Sequence, residues 1–236
     1  MNKKATLIVE KLNKSYISRN EQVMAMDNIH LELTPSSFNI LTGPSGAGKS
    51  SLLSSLGGLL PPDSGNVCFE GKNIWDLSAK QLCQHRLNNC SYIFQDANLH
   101  PCLTAIEQVI ILLRKKGVSK QDAKLIAEQQ LTEIGLGNKL NLLPNQLSGG
   151  EKQRVTIARA IASSAKLIFA DEPTSSLDSK NTEHVVELLL NTALKHDAII
   201  FCATHDERVL AHAHRILHME SGKIQSDTNT LEQDKL

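Results

Sequence analysis

The chain has 236 residues, with 25 Lys and Arg against 25 Asp and Glu and a formal net charge of zero. At about 150 residues per domain, that length makes one to two compact units and buries a core without disulfides or metals. Balanced charge gives no electrostatic drive toward nucleic acid, and a 3% aromatic content argues against a base-stacking platform for single strands. The five cysteines, Cys68, Cys83, Cys90, Cys102 and Cys202, show no C-x-x-C spacing and read as small buried hydrophobes. No run approaches the roughly 18 apolar residues needed to cross a bilayer, and no apolar signal core follows the start.

In chain order, 5–12 and 29–33 read as strands, the second from the alternation of Ile29, Leu31 and Leu33 with His30 and Glu32. A third strand, 38–42, runs into a glycine-rich turn from which a helix opens at 49–56. Residues 61–65 are a Pro/Gly loop before a short strand at 67–69. The middle of the chain is helical. Thr104 and Glu107 make a capping box ahead of the apolar run 109–113, and a second helix covers 119–134, stopped by Gly135 and Gly137. A third begins near Ser148, with Val155, Ala158, Ile161 and Ala162 on one face. Runs 166–171 and 198–204 read as strands buried on both faces, and the chain after Gly222 as a loose polar tail. The expected class is α/β, interrupted by a helical insert.

Three stretches carry chemistry. Gly43, Pro44, Ser45, Gly46, Ala47, Gly48, Lys49 and Ser50 match G-x-x-x-x-G-K-[ST], placed after a strand and opening a helix. Backbone N–H groups of such a loop cradle phosphates, helped by the helix N-terminus; Lys49 reaches the β- and γ-phosphates and the Ser50 hydroxyl suits Mg²⁺. Asp171 and Glu172 end an apolar strand, where Asp171 is placed for the Mg²⁺ shell and Glu172 for the attacking water. Ser148, Gly149 and Gly150 open a helix with exposed N–H groups, either a second anion site or a plain N-cap. Of the histidines outside these stretches, His100, His184, His196, His212, His214 and His218 fall on no convergent metal spacing, and Trp75 reads as a partly buried anchor.

Over residues 5 to about 225 the chain resembles the ATP-binding subunits of ABC transporters. Residues 43–50 look like the Walker A loop, 147–154 the signature motif, 167–172 the Walker B strand, and 175–178 the D-loop. The resemblance implies a P-loop NTPase core with an N-terminal antiparallel β subdomain. In its boundaries, 1–95 and 165–225 form that core, 96–164 the helical subdomain, and 226–236 a polar tail. It makes Tyr16 the adenine-stacking aromatic and adds Ser51 to the nucleotide contacts. Gln95 senses Mg²⁺ and water, and His205 contacts the γ-phosphate. It further implies a head-to-tail homodimer, with each ATP between the Walker A of one subunit and Ser148, Gly149 and Gly150 of the other, and Asp178 communicating across the dimer.

Departures from the family pattern are Ser36-Ser37 in place of Gly-Glu before the P-loop strand, and His214 in place of an Asp, which puts a structural hydrogen bond there in question. The stretches 57–65 and 95–109 are similar to the subgroup of lipoprotein-release, macrolide-export and cell-division ATPases. That likeness implies a bare, cytoplasmic ATPase on the inner face of the membrane, docked on a permease through the helical subdomain. Leu99 and Leu103 are the interface candidates there, and 110–113 mainly the insert's own core. The alternative within the subgroup is an ATP-gated signalling module that transports nothing. The insert is too short for a repair-type coiled coil, and nucleotide kinases lack the signature element.

Overall fold

The computed structural model describes residues 6–18 and 21–230. A long hairpin comes first, β1 (Leu7–Ser18) and β2 (Glu21–Leu33), burying Leu7, Val9 and Leu12 against Ile29, Leu31 and Leu33. β3 (Ser37–Thr42) leads to α1 (Lys49–Leu56); β4 (Ser64–Phe69) and β5 (Lys72–Asn73) then return to the hairpin and complete an antiparallel sheet ordered β2-β1-β4-β5. α2 (Ala79–Asn89) and β6 (Cys90–Ile93) precede α3 (Ala105–Lys115), α4 (Lys120–Glu133) and α5 (Gly149–Ala162). The remainder is β7 (Leu167–Asp171), α6 (Ser179–Lys195), β8 (Ile199–Ala203), α7 (Glu207–Leu210), β9 (Arg215–Glu220) and β10 (Lys223–Asn229). The second sheet runs β10-β9-β3-β8-β7-β6 and is parallel except for β10.

Side-chain alternation along the parallel strands splits the core in two. Ile168, Ala170, Ile200 and Cys202 face a cluster with α3 to α6, while Leu167, Phe169, Ile199 and Phe201 face one with α1 and the antiparallel sheet. Both faces are covered, so the strands are continuously apolar, as their sequence predicts. Phe201 is wholly buried at the centre, where truncation to Ala costs about 3–5 kcal/mol.

Several expectations need correction. The chain after Gly222 is no loose tail: 223–229 pair with β9, and Arg215 forks onto both Asp227 oxygens, at 2.7 and 2.5 Å. Residues 231–236 lie outside the described residues, as does residue 5 of the first expected strand. Both hairpin strands extend well past their expected bounds. Cys83 and Cys102 are exposed, so only Cys90 and Cys202 fit the buried reading. His214 does make a structural hydrogen bond: its Nδ1 accepts from Phe38 N at 3.0 Å, while its backbone N–H donates to Phe38 O at 2.9 Å. Ser36 takes a left-handed φ of 57° and donates to Asp197 Oδ1 at 2.7 Å, so a Ser is held where the family has Gly.

Candidate active site

Four parallel strands deliver the site at their C-terminal ends, where open α/β sheets bind ligands. β3 runs into Gly43, β6 stops two residues before Gln95, β7 ends on Asp171 with Glu172 next, and β8 is followed by Thr204 and His205. These segments line one cavity of about 710 Å³, together with Tyr16, Val23 and Ala25 from the hairpin and Ser175. Every predicted nucleotide, metal and catalytic residue lines it: Tyr16, residues 43–51, Gln95, Asp171, Glu172 and His205. Val23 and Ala25 are additions that no motif announced, and Ser175 opens the stretch expected as the D-loop.

Backbone crowding explains the outer glycines of the loop. A methyl group on Gly43 would sit 1.9 Å from Met219 O, and one on Gly48, whose φ is 105°, would sit 1.9 Å from Ala25 O. The Lys49 ammonium donates to Gly43 O at 2.6 Å and Pro44 O at 3.0 Å, so it already lies over the loop.

Opposite, Glu172 takes φ +46° as the chain turns out of β7. Both oxygens of its sheltered carboxylate are engaged: Oε2 accepts from Thr204 Oγ1 at 3.1 Å, and Oε1 lies 2.9 Å from His205 Nδ1. The imidazole itself is 85% exposed, and its other edge is open to a ligand in the cavity. A carboxylate fixed by two neighbours beside a phosphate loop is equipped to orient and deprotonate water.

Ser148, Gly149, Gly150 and Asp178 are not brought into this cavity. They form a second cluster. Ser148 caps α5 in a capping box, accepting from Glu151 N at 3.3 Å while Glu151 Oε2 accepts from Ser148 N at 2.9 Å. A methyl on Gly150 would come 2.9 Å from Ser176 O, so α5 abuts the 172–178 turn that also carries Glu172. Asp178 caps α6 through Asn181 N at 2.9 Å, and that bond, with one from the Asn181 side chain, holds its carboxyl below the usual range. One further residue went unpredicted. Buried Gln153 of α5 donates to Phe94 O at 3.1 Å, tying the signature helix to the segment before Gln95.

A family model described as ABC transporter matches residues 26–175. HrtA of Staphylococcus haemolyticus, an ATP-binding protein assigned to hemin import, is 39% identical over 219 residues, 93% of this chain and 99% of that one. The chain belongs to the ABC transporter family. It is an ATP-binding subunit that hydrolyses ATP, with the expected P-loop NTPase fold. Among solved structures, the dimeric ATP-binding cassette MJ0796, bound to ADP and Pi after hydrolysis, matches at TM-score 0.90 and 33% identity, over 94% of this chain and 98% of that one. CbiO1 of Clostridium perfringens, from the transporter complex cbiONQ, matches at TM-score 0.82 and 26% identity, over 98% and 91%.

This ABC subunit has a second concavity of about 570 Å³, a mainly apolar groove between α2, β6 and α3. Leu59, Leu87, Phe94, Leu103, Ile111 and Leu112 line it, and Ile111 is 48% exposed. Its charged lining is Arg86, Lys115 and Arg159, with no carboxylate. Burial lowers the Arg159 pKa. The two interface candidates part company here: Leu103 lines the groove, whereas Leu99 packs on the insert core. Of the run 110–113, Ile110 and Leu113 belong to the insert core as expected, but Ile111 and Leu112 face the groove. Among the described residues no helix is long and apolar enough to cross a membrane.

Proposed function

We propose that the chain is the motor subunit of a membrane transporter, working as a head-to-tail dimer of the lipoprotein-release or macrolide-export type. The observation that carries this reading is the division of the predicted contacts into two clusters, one in the cavity and one outside it. A second copy facing the first supplies Ser148, Gly149, Gly150 and Asp178 to the γ-phosphate side, so neither chain holds a whole site. The MJ0796 neighbour is a dimer by its own description, which supports the arrangement.

Within the site, residues 43–51 cradle the phosphates through backbone N–H groups, and Lys49 exchanges its loop carbonyls for phosphate oxygens. Tyr16 stacks on adenine. The Ser50 hydroxyl, Gln95 amide and Asp171 carboxylate are hard oxygen donors on one cavity, the set that suits Mg²⁺ when phosphates supply further ligands. The ion, when bound, neutralises charge on the β- and γ-phosphates. Glu172 holds and deprotonates the water, and His205, hydrogen-bonded to Glu172, meets the γ-phosphate with its open edge.

The groove takes a cytoplasmic helix of the permease, placing the subunit peripherally on the inner membrane face. Arg86, Lys115 and Arg159, with no carboxylate among the lining residues, favour a helix that brings one. The HrtA relatives make hemin the first cargo to try. The test is capture: Glu172→Gln chain with Mg-ATP is added to detergent-solubilised membranes. Recovery of an integral membrane protein whose retention is lost with Leu103→Asp supports the motor reading. Recovery of soluble proteins or ribosomes alone contradicts it. A partner with an extracytoplasmic regulatory domain and no ATP-driven cargo movement would mark the signalling alternative.

A further inference from the structure

The loop between α1 and β4 converges on the three residues that precede Tyr16. Asp63 Oδ1 accepts from Lys14 Nζ at 2.8 Å, and Oδ2 accepts from Ser15 N at 2.7 Å and Ser15 Oγ at 2.9 Å. The Asp63 N–H donates to Asn13 O at 2.8 Å. One residue thus makes four hydrogen bonds to three consecutive positions of β1.

Those positions need outside support. β1 pairs with β4 only as far as Asn13 opposite Ser64, so beyond that point it has a neighbour on one side alone. Its remaining ladder, with β2, is irregular on both sides of Lys14. Ser15 N points to the side that β4 has left, where the Asp63 carboxylate takes the acceptor place that a strand would have filled. The same carboxylate fixes Lys14, whose ammonium lies 5.9 Å from the centre of the Tyr16 ring. Hydrogen bonds from Lys14 and Ser15 hold the Asp63 pKa down to about 2, so the anion persists at any working pH.

The other end of the tether is rigid. Residues 57–60 are fastened to the core by Tyr92 Oη donating to Gly57 O, by Arg86 Nη1 to Gly58 O at 2.9 Å, and by Ser55 Oγ to Leu60 O at 2.8 Å. The tether therefore runs from the helix that opens at the phosphate loop to the strand that carries Tyr16.

We infer that Asp63 is a positioning residue for adenine recognition: it sets the Tyr16 ring at a fixed height over the phosphate loop. This rests on the proposed stacking role of Tyr16. An exposed ion pair by itself contributes little to stability, so the effect is expected in base recognition and not in folding.

The experiment titrates the full chain with ATP and, separately, with inorganic tripolyphosphate, which has phosphates and no base. Tyr16→Ala is expected to weaken ATP about tenfold, the scale of one lost base stack. Asp63→Ala is expected to weaken it about three- to fivefold, Asp63→Asn less, and all three to leave tripolyphosphate affinity unchanged. The double variant Tyr16→Ala/Asp63→Ala should bind ATP no worse than Tyr16→Ala. Loss in Tyr16→Ala without loss in Asp63→Ala overturns the inference and keeps the stacking role. No loss in Tyr16→Ala removes the stacking role and the inference with it. Equal weakening of tripolyphosphate, or a double variant whose losses multiply, gives Asp63 a general structural role and also overturns it.

Discussion

The nucleotide cavity and the groove between α2, β6 and α3 are of similar size, about 710 and 570 Å³, and are built on opposite plans. The cavity is made largely of backbone and short polar side chains, carried by contiguous motifs at strand ends. The groove is made mainly of scattered apolar side chains from Leu59 to Leu112, with Arg86, Lys115 and Arg159 among them, and no two of its elements announce each other in sequence. Phosphate chemistry demands fixed spacing along the chain, whereas a helix-binding surface demands only shape and apolarity. That contrast explains why the cavity is readable before the fold is known, while of the groove lining only Leu103 is anticipated as an interface residue.

The largest effects are expected where charge is removed from the cavity. Lys49→Ala should abolish measurable ATP binding and turnover, since the ammonium has no substitute on the loop. Glu172→Gln should keep ATP binding and slow hydrolysis by about 10²–10⁴-fold, the range of a lost general base. Unchanged turnover in single-turnover kinetics would take Glu172 out of the mechanism. In the groove, Ile111→Asp should cut capture of the membrane partner at least tenfold in a pull-down while ATP affinity stays at the wild-type value. Loss of ATP affinity in that variant would mean that the two regions are one.

Smaller effects test the links between them. Tyr92→Phe removes a hydrogen bond to Gly57 O and should cost about 1 kcal/mol in urea unfolding. Smallest is an acid effect at His214. Burial lowers its pKa, and as the neutral ring it accepts from Phe38 N. The folded chain binds fewer protons there than the unfolded one. Its contribution is therefore full above about pH 6.5 and lost as pH falls through the lowered folded value. His214→Asn should flatten the slope of unfolding free energy against pH just below that point; an unchanged slope would exclude His214 as its source.

Much of the fold was legible where burial imposes a period. β7 and β8 are continuously apolar because helices cover both faces, and α5 starts at Ser148 because a capping box fixes it. What escaped has a physical reason in each case. α2 buries no residue completely and therefore has no apolar stripe to read. β10 is an edge strand whose side chains are mostly exposed, held by the β9 ladder and by Arg215 on Asp227. The hairpin arms outrun their alternation because the register of β1 shifts near Leu12 and Lys14. At the site, Val23 and Ala25 carry no chemistry of their own and enter only because the hairpin folds over the loop.

In the proposed dimer each ATP is held by two chains. Sedimentation velocity of the Glu172→Gln chain with ATP tests it most directly, alone and with Ser148→Arg added. A dimer is expected that forms with ATP and disappears with Ser148→Arg, while the monomer of that double variant still binds ATP with unchanged affinity. A chain that stays monomeric with ATP bound, or one in which Ser148→Arg weakens ATP binding to the monomer, would contradict it.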